Sequence, residues 1–287
     1  MRRYDFLDSM LPASRSPTYL ALSEIDGSIA EFNRTGSLKC WLLDRGYLSA
    51  MVPGPVSKGR CPRPTGGAVL AWSTNETELA DGACPPTADP QSVVLSGVFR
   101  HRRQSAHAPP TMVGVVYGRH RHGGKLAAVR VVSLRASRER ALVIAGDYNV
   151  TPSESFQLPG RRRGLADMEF AALVGGDAGD SQQIATASLV PLGHAHQDGE
   201  FSHVDRRKRQ EDGSLAGAAT IDHVVVAGIE QGAWSLSARL FARDADGYIS
   251  DHECIVVVRT ARTACADDAG LFRLPNFRSG QWKPPQR

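Results

Sequence analysis

The chain has 287 residues, of which 41% are hydrophobic and 22% charged, and its net charge is +4. This balance is ordinary for a soluble globular protein with one large domain or two small ones, and it excludes a chain that is disordered throughout. No apolar run reaches the roughly 18 residues of a membrane-spanning helix, and the charged N-terminus does not match a secretory signal, so we expect an intracellular protein, nuclear or cytoplasmic, with no membrane partner.

Eight apolar runs rich in Val, Leu and Ile predict β-strands, because most are bounded by the Gly, Pro, Asp or Asn residues of turns. In chain order they are residues 18–23, 67–72, 92–99, 112–117, 141–146, 221–227, 234–241 and 254–258. Apolar residues at helical spacing predict helices over 3–11, 125–140 and 164–174. The polar, Gly- and Pro-rich stretches 75–91 and 175–220 predict long loops.

Several predicted strands follow one another without a helix between them. This order indicates mixed or antiparallel sheets covered by helices, in a layered α/β (α+β) domain. We expect this domain to occupy residues 1–262 and to be followed by a C-terminal tail over 263–287.

Positive charge is concentrated in one segment of the chain. Between residues 100 and 164, thirteen Lys or Arg residues are opposed by three acidic ones, a net charge of +10. Such a segment can attract a polyanion such as nucleic acid. The alternative is a solvated, Arg-rich surface with no binding role.

Polar residues with no evident packing role stand at the ends of four predicted strands. Each of them alone is explained by turn or capping chemistry. Gathered at one rim of a sheet, however, such side chains suit metal-assisted phosphate chemistry, because carboxylates bind Mg²⁺ or Mn²⁺ and a His held by an Asp can carry a proton. The residues are Glu24, Asp147, Asn149, Asp222, His223, Ser250, Asp251 and His252.

The stretch that contains Asp147 and Asn149 follows directly on the predicted strand 141–146. Residues i and i+2 of an extended chain share one face, so we expect these two side chains to point the same way while Tyr148 points into the packing.

The ordered motifs GDYN (146–149), TIDHV (220–224) and SDH (250–252) resemble those of the endonuclease/exonuclease/phosphatase superfamily. TYLALSE, at 18–24, is similar to the family strand that ends in a metal-binding Glu, and VGVVYGRH, at 113–120, to the strand that ends in an active-site Tyr. Residues 59–73 are similar to the family's Gly-Gly pair followed by an apolar strand. The resemblance covers residues 5–260 and implies a four-layer α/β sandwich of two packed mixed β-sheets flanked by helices.

The resemblance also implies roles in binding metal and phosphate. Glu24 would bind a divalent metal ion, Mg²⁺ or Mn²⁺, with Asp251 near it. Asn149 would hold the nucleophile and the phosphate, and Tyr117 would donate a hydrogen bond to the phosphate.

Three further residues are implied in proton transfer. Asp147 would activate the attacking water or stabilise the leaving oxygen, and Asp222 would orient His252, which faces the phosphate. Either Asp147 or His252 would act as the base. The implied reaction is in-line attack of water on a phosphodiester, assisted by the metal.

The chain departs from the family pattern at three places. It opens in a predicted helix, so we expect the usual first strand, which carries a metal-binding Asn, to be absent. The small residues at 213–220 stand where abasic-site enzymes place a bulky aromatic residue, which argues against an abasic-site pocket. His120 replaces a small or amide residue of the family.

The sequence therefore predicts a divalent-metal-dependent phosphodiester hydrolase, an endonuclease of the retroelement type that acts on DNA. The basic segment contains Tyr117, Asp147 and Asn149, which favours a polyanionic substrate. Two alternatives stay open: a phosphatase or phosphodiesterase for a small phosphorylated ligand such as an inositol phosphate, and a catalytically inactive relic that binds nucleic acid.

Overall fold

The computed structural model describes most of the first 150 residues and shorter segments after them. The described residues are 17–56, 62–80, 86–88, 93–103, 108–119, 122–150, 164–174, 186–189, 203–204, 218–228, 233–240, 243–244, 247–248, 252 and 254–259. Their helices are α1 (Ile29–Phe32), α2 (Leu38–Leu43), α3 (His122–Arg138) and α4 (Leu165–Val174). Their strands are β1 (Tyr19–Ile25), β2 (Tyr47–Val52), β3 (Gly67–Ser73), β4 (Thr77–Leu79), β5 (Thr87–Ala88), β6 (Val93–His101), β7 (Thr111–Tyr117), β8 (Ala141–Asp147), β9 (Thr186–Ser188), β10 (His203–Val204), β11 (Ala218–Ala219), β12 (Asp222–Gly228), β13 (Trp234–Leu240), β14 (Arg243–Asp244), β15 (Gly247–Tyr248) and β16 (Cys254–Arg259).

The largest sheet has seven strands in the order β4-β6-β7-β8-β12-β9, with β5 paired to β6. Its strand pairs are antiparallel except for β7 and β8, which run parallel. Because parallel neighbours need a crossover connection, the chain passes through α3 between these two strands. The carboxyl ends of β7 and β8 therefore lie at the same edge of the sheet as the start of β12.

A second layer of strands packs on one face of the large sheet. It contains the antiparallel sheet β1-β3-β2 and the antiparallel pair β13-β16. Leu70 of β3 packs with Val113 and Val115 of β7, while Ile255 of β16 packs with Val224 of β12. The interior between the two layers is thus built from alternate residues of each strand.

Helices cover the two outer faces. On the large sheet, α3 and α4 pack their buried side chains, such as Val132 and Phe170, over Ile144. On the small sheet, Trp41 and Leu42 of α2 join a cluster with strand residues of β3. Every residue of β3 and β7 is buried, as expected for strands covered on both faces. The structure therefore has the four layers that the resemblance implies.

The eight predicted strands are all present, with boundaries that differ by only one or two residues. The predicted helices 125–140 and 164–174 correspond to α3 and α4, whereas the predicted helix 3–11 lies outside the described residues. The expected loops 75–91 and 175–220 contain short strands, which pair at sheet edges or in two-stranded ribbons.

Two helices and one strand between residues 26 and 66 were not predicted. A signal for α1 does stand in the sequence, since Ser28 and Glu31 form a capping box in which each side chain accepts the other residue's backbone N–H. Within the part of the chain that the structure describes, no helix combines the length and the apolar character needed to cross a membrane.

Candidate active site

Three of the predicted site residues lie side by side at one edge of the large sheet. Tyr117, the last residue of β7, pairs with Asp147, the last residue of β8, and Asp147 pairs with Asp222, the first residue of β12. Residues that face each other across neighbouring strands point to the same face of the sheet. Here that face is the one covered by the second layer, because Tyr117 packs into the cluster between the sheets.

Two glycines allow the backbone to form this edge. Gly146 has φ of +138°, and a Cβ there would lie 2.2 Å from the carbonyl oxygen of Val116 on the neighbouring strand. A Cβ on Gly118 would lie 2.2 Å from the carbonyl oxygen of Tyr148. The Gly118 N–H also donates to the Asp147 carbonyl at 2.6 Å. A side chain at either position would push β7 and β8 apart where the acidic group stands.

A tight turn joins Asp147 to Asn149. The Asp147 carboxylate accepts hydrogen bonds from the Asn149 backbone N–H at 2.7 Å and from its Nδ2 at 2.6 Å, and Nδ2 also donates to the Gly118 carbonyl at 2.7 Å. The two side chains therefore meet, as expected, but Asn149 has φ of +53°, so they do so through a turn and not by sharing one face of an extended chain. The strand ends at Asp147, and the side-chain-to-backbone bond of an Asx turn brings the amide back to the acid.

Asp147 is completely buried. Burial raises the pKa of its carboxyl group well above the usual range, and the negative charge of Asp222 raises it further, while His252 and the Asn149 N–H act in the opposite direction. A carboxylate whose pKa is raised in this way is a stronger base than one in water.

Glu24 reaches the same place from the second layer. It lies within a register shift in the pairing of β1 with β3, and its φ of +56° is left-handed, which is uncommon for a residue with a side chain. Tyr117 donates its hydroxyl hydrogen bond to the Glu24 carboxylate at 3.0 Å. Burial, followed by the charge of Glu24, raises the pKa of Tyr117, so the phenol keeps its proton and remains a donor.

His252 completes the cluster just before β16. Its Nδ1 donates to the Asp222 carboxylate at 2.9 Å, and its Nε2 lies 3.6 Å from a Glu24 oxygen. Burial alone would lower the pKa of the imidazole. The hydrogen bond to Asp222 and the charges of Asp222, Asp147 and Glu24 outweigh burial and raise the pKa to about 9.

A divalent cation fits the centre of this cluster. One ligand atom from each of Glu24, Asp147 and His252 lies within 4.8 Å of the other two. Carboxylate oxygens are the ligands that Mg²⁺ and Mn²⁺ prefer, and an imidazole nitrogen is better suited to Mn²⁺ than to Mg²⁺. Asp251, the second residue predicted to bind metal, lies outside the described residues, as does His120.

His223 does not belong to this cluster, although it follows Asp222 directly. It is fully buried on the helical face of the large sheet, with ring centroids 4.6 Å from Phe170 and 5.8 Å from Tyr148. Tyr148 is also fully buried, as the sequence predicts.

The residues that hold the polar side chains in place were not predicted to have this role. Gly118 accepts through its backbone carbonyl, and the Gly66 N–H donates to the side-chain carboxylate of Asp26. Both glycines also make close contacts with segments distant in the chain. The Gly-Gly pair at 66–67 stands out in the sequence, but the residues that it contacts do not follow from it.

Comparison with known proteins identifies the fold. No protein-family model matches the chain, and no curated protein matches it by sequence. Human Nocturnin, in a structure of its catalytic domain with bound sulfate, matches at 14% identity and a TM-score of 0.56, covering 90% of this chain and 87% of that chain. The 3′ phosphatase NExo from Neisseria, bound to a product DNA hairpin, matches at 14% identity and a TM-score of 0.55, covering 90% and 94%. An endonuclease/exonuclease/phosphatase from Beutenbergia cavernae matches at 13% identity and a TM-score of 0.54, covering 89% and 66%.

These matches, together with the layered architecture, define the class. The chain has the fold of the endonuclease/exonuclease/phosphatase superfamily, and the fold expected from its motifs is confirmed. At such low identity the likeness establishes the fold, while the activity depends on the residues of the site.

Proposed function

We propose that the protein is a divalent-metal-dependent phosphodiester hydrolase that acts on nucleic acid, with the site built around Asp147. The observation that carries the proposal is the convergence of separate strand ends. Glu24, Asp147 and His252 come from different strand ends and still bring ligand atoms within 4.8 Å. Two buried acids, Asp147 and Asp222, beside a charged imidazole are costly to fold, and such groupings occur mainly where chemistry requires them.

The metal would be held by Glu24, with Asp251 retained as a further ligand, while Asp147 and His252 line the same space. A bound Mg²⁺ or Mn²⁺ supplies Lewis-acid stabilisation of the negative charge on the phosphate. Tyr117 uses its hydroxyl proton on Glu24, so in this arrangement it orients the carboxylate, and a phosphate oxygen would compete for the same proton.

The hydrogen bonds of His252 and Asn149 indicate which residue is the general base and which donates to the phosphate. His252 is tied to Asp222 through Nδ1, which leaves Nε2 directed at the centre of the cluster. A charged imidazole in this position donates to a phosphate oxygen and does not accept a proton. We therefore assign the base to Asp147 and the orienting role to Asn149, which donates two hydrogen bonds to the Asp147 carboxylate.

We propose DNA as the substrate and endonucleolytic cleavage as the reaction. The segment 100–164 has a net charge of +10 and contains Tyr117, Asp147 and Asn149. Three of the site residues therefore belong to the most basic part of the sequence, which favours a polyanionic substrate. NExo, which shares the fold, is bound to a DNA hairpin. Among endonucleases we favour the retroelement type over abasic-site enzymes, because residues 213–220 are small where the latter carry a bulky aromatic residue.

Plasmid nicking tests the proposal. The wild-type protein is expected to nick supercoiled DNA with Mg²⁺ or Mn²⁺ and to lose this activity in EDTA. Asp147→Asn is expected to lower the rate at least about a hundredfold, since general bases contribute factors of this order. The matched control is Glu169→Gln, which removes the same charge from a carboxylate bound to Arg130 between the outer helices.

The second candidate is a phosphatase for a small phosphorylated ligand, which is supported by the shared fold of NExo, a 3′ phosphatase. Release of inorganic phosphate from small esters, with plasmid left intact, would replace the nuclease proposal with this one. Salt separates the two further, because binding of a polyanion weakens steeply with salt and binding of a small ester does not. DNA binding without any cleavage would indicate an inactive relic.

A further inference from the structure

Gly66 lies against the ring of Tyr117 in a way that leaves no room for a side chain. Its φ is +67°, and a Cβ at this position would lie 2.5 Å from Cε1 and 3.1 Å from Cζ of Tyr117. Both the left-handed backbone and the contact require glycine. The Tyr117 ring is itself buried, so it has little space into which it can retreat.

Hydrogen bonds hold the turn that contains Gly66 against the segment that follows Glu24. The Gly66 N–H donates to the Asp26 carboxylate at 3.1 Å, and the Gly27 N–H donates to the Pro64 carbonyl at 3.0 Å. On its other side the turn meets Gly54, where a Cβ would lie 1.7 Å from the carbonyl oxygen of Thr65. The turn is thus wedged between two other segments.

These contacts form a continuous path to the candidate metal site. Gly66 touches the Tyr117 ring, and the Tyr117 hydroxyl donates to Glu24 Oε1 at 3.0 Å. We propose that Gly66 is a positioning residue, which sets Tyr117 at hydrogen-bonding distance from Glu24 and thereby aims the Glu24 carboxylate at Asp147 and His252. The effect of Gly66 on catalysis rests on the proposed function, whereas the contact between Gly66 and Tyr117 does not depend on that function.

The test compares two alanine substitutions at left-handed glycines. Gly66→Ala places a methyl group against Tyr117, while Gly36→Ala, at φ of +72°, imposes the same backbone strain with no atom within 4 Å of the new Cβ. Protein labelled with 3-fluorotyrosine reports on the ring by ¹⁹F NMR, and Tyr117→Phe assigns the Tyr117 signal. We expect that signal to move in Gly66→Ala and to stay in place in Gly36→Ala.

Manganese binding, followed by the EPR signal of free Mn²⁺, gives the second readout. We expect Gly66→Ala to weaken Mn²⁺ binding about tenfold, because residues that orient metal ligands contribute factors of this order. In the nicking assay the same variant is expected to lower kcat by a similar factor with little change in KM. Gly36→Ala is expected to leave Mn²⁺ binding and nicking unchanged.

Asp26→Ala covers the case in which Gly66→Ala does not fold. It removes the acceptor of the Gly66 N–H without adding atoms, and the Arg63 ion pair that it also breaks is solvent-exposed and contributes little. We expect the Tyr117 signal to move and Mn²⁺ binding to weaken in the same direction, by a smaller factor.

An unchanged Tyr117 signal and unchanged Mn²⁺ binding in folded Gly66→Ala, or in Asp26→Ala if the former does not fold, would overturn the inference. A wild-type protein without hydrolase activity would overturn the proposed function instead, since the NMR and Mn²⁺ measurements do not depend on turnover.

Discussion

Two histidines lie next to Asp222 of the large sheet, His252 in a charged environment and His223 in an apolar one. His252 donates to Asp222 and faces Glu24 and Asp147, whereas His223 lies between the rings of Tyr148 and Phe170. The His223 Nε2–H donates to the Val150 carbonyl, and its Nδ1 accepts from Ser188, both at 3.4 Å. Each follows an aspartate in the sequence, at 222–223 and 251–252.

The difference shows how the alternation of side chains along a strand places a structural residue and a candidate catalytic residue on opposite faces of the sheet. Asp222 and His223 are consecutive in β12, so their side chains point to opposite faces of the sheet. The inter-sheet face carries the acids, and a histidine there becomes charged. The helical face is apolar, and a histidine there serves packing and hydrogen bonding to neutral partners.

The largest expected effect is on activity at His252. We expect His252→Gln to lower the nicking rate about a thousandfold, because the charged side chain that donates to the phosphate is lost. The melting temperature should stay close to that of the wild type. A variant that nicks DNA at more than a tenth of the wild-type rate would contradict the assignment.

The opposite pattern is expected at His223. His223→Ala leaves a cavity between Tyr148 and Phe170 and removes a donor to Val150, so we expect a loss of about 2–4 kcal/mol in the free energy of unfolding. Urea denaturation measures this loss. Nicking by the folded fraction should remain within a few-fold of the wild type, and a selective loss of activity without destabilisation would place His223 in the chemistry.

The charge on His252 makes stability depend on pH. Its pKa rises from the ordinary 6.5 to about 9, so the metal-free folded protein gains stability below pH 6.5 and loses it as the pH rises to 9. At about 1.4 kcal/mol per pKa unit, the rise of about 2.5 units corresponds to a loss of at most about 3–4 kcal/mol. Denaturation at both pH values should detect it in the wild type and find it reduced in His252→Gln, and an equal slope in both proteins would contradict the raised pKa.

The smallest effect is expected at an exposed charge pair. Arg130 and Glu169 form three hydrogen bonds between α3 and α4 at the protein surface. Solvent screens such a pair, so Glu169→Gln should leave both the melting temperature and the nicking rate unchanged. A marked loss of melting temperature or nicking rate in this variant would contradict the view that an acid matters here only when it lies in the candidate active site.

The sequence predicts the strands well because each is a short apolar run bounded by turn residues, and burial on both faces enforces that pattern in β3, β7 and β8. It also names the polar residues that gather at one edge, since strand ends carry them in a recognisable order. The sequence does not reveal which face of the sheet a residue occupies, because an error of one position in the strand boundary reverses the assignment. His223 and His252 therefore look alike in the sequence.

Contacts between distant segments could not be predicted. Asn149 turns back to Asp147 through a left-handed residue, and Glu24 reaches the site through a bulge, neither of which follows from alternation along a strand. The contact of Gly66 with Tyr117 joins residues 51 positions apart and depends on the absence of a side chain. Such features are determined by packing in three dimensions.

Manganese binding to the metal-free protein tests the central claim most directly. EPR titration should show one Mn²⁺ bound by the wild type and by Glu169→Gln, and binding at least about tenfold weaker in Glu24→Gln, because that variant removes a charged ligand from the cluster of Glu24, Asp147 and His252. Equal Mn²⁺ affinity in Glu24→Gln and the wild type, or no binding by either, would contradict the metal site and with it the proposed hydrolase.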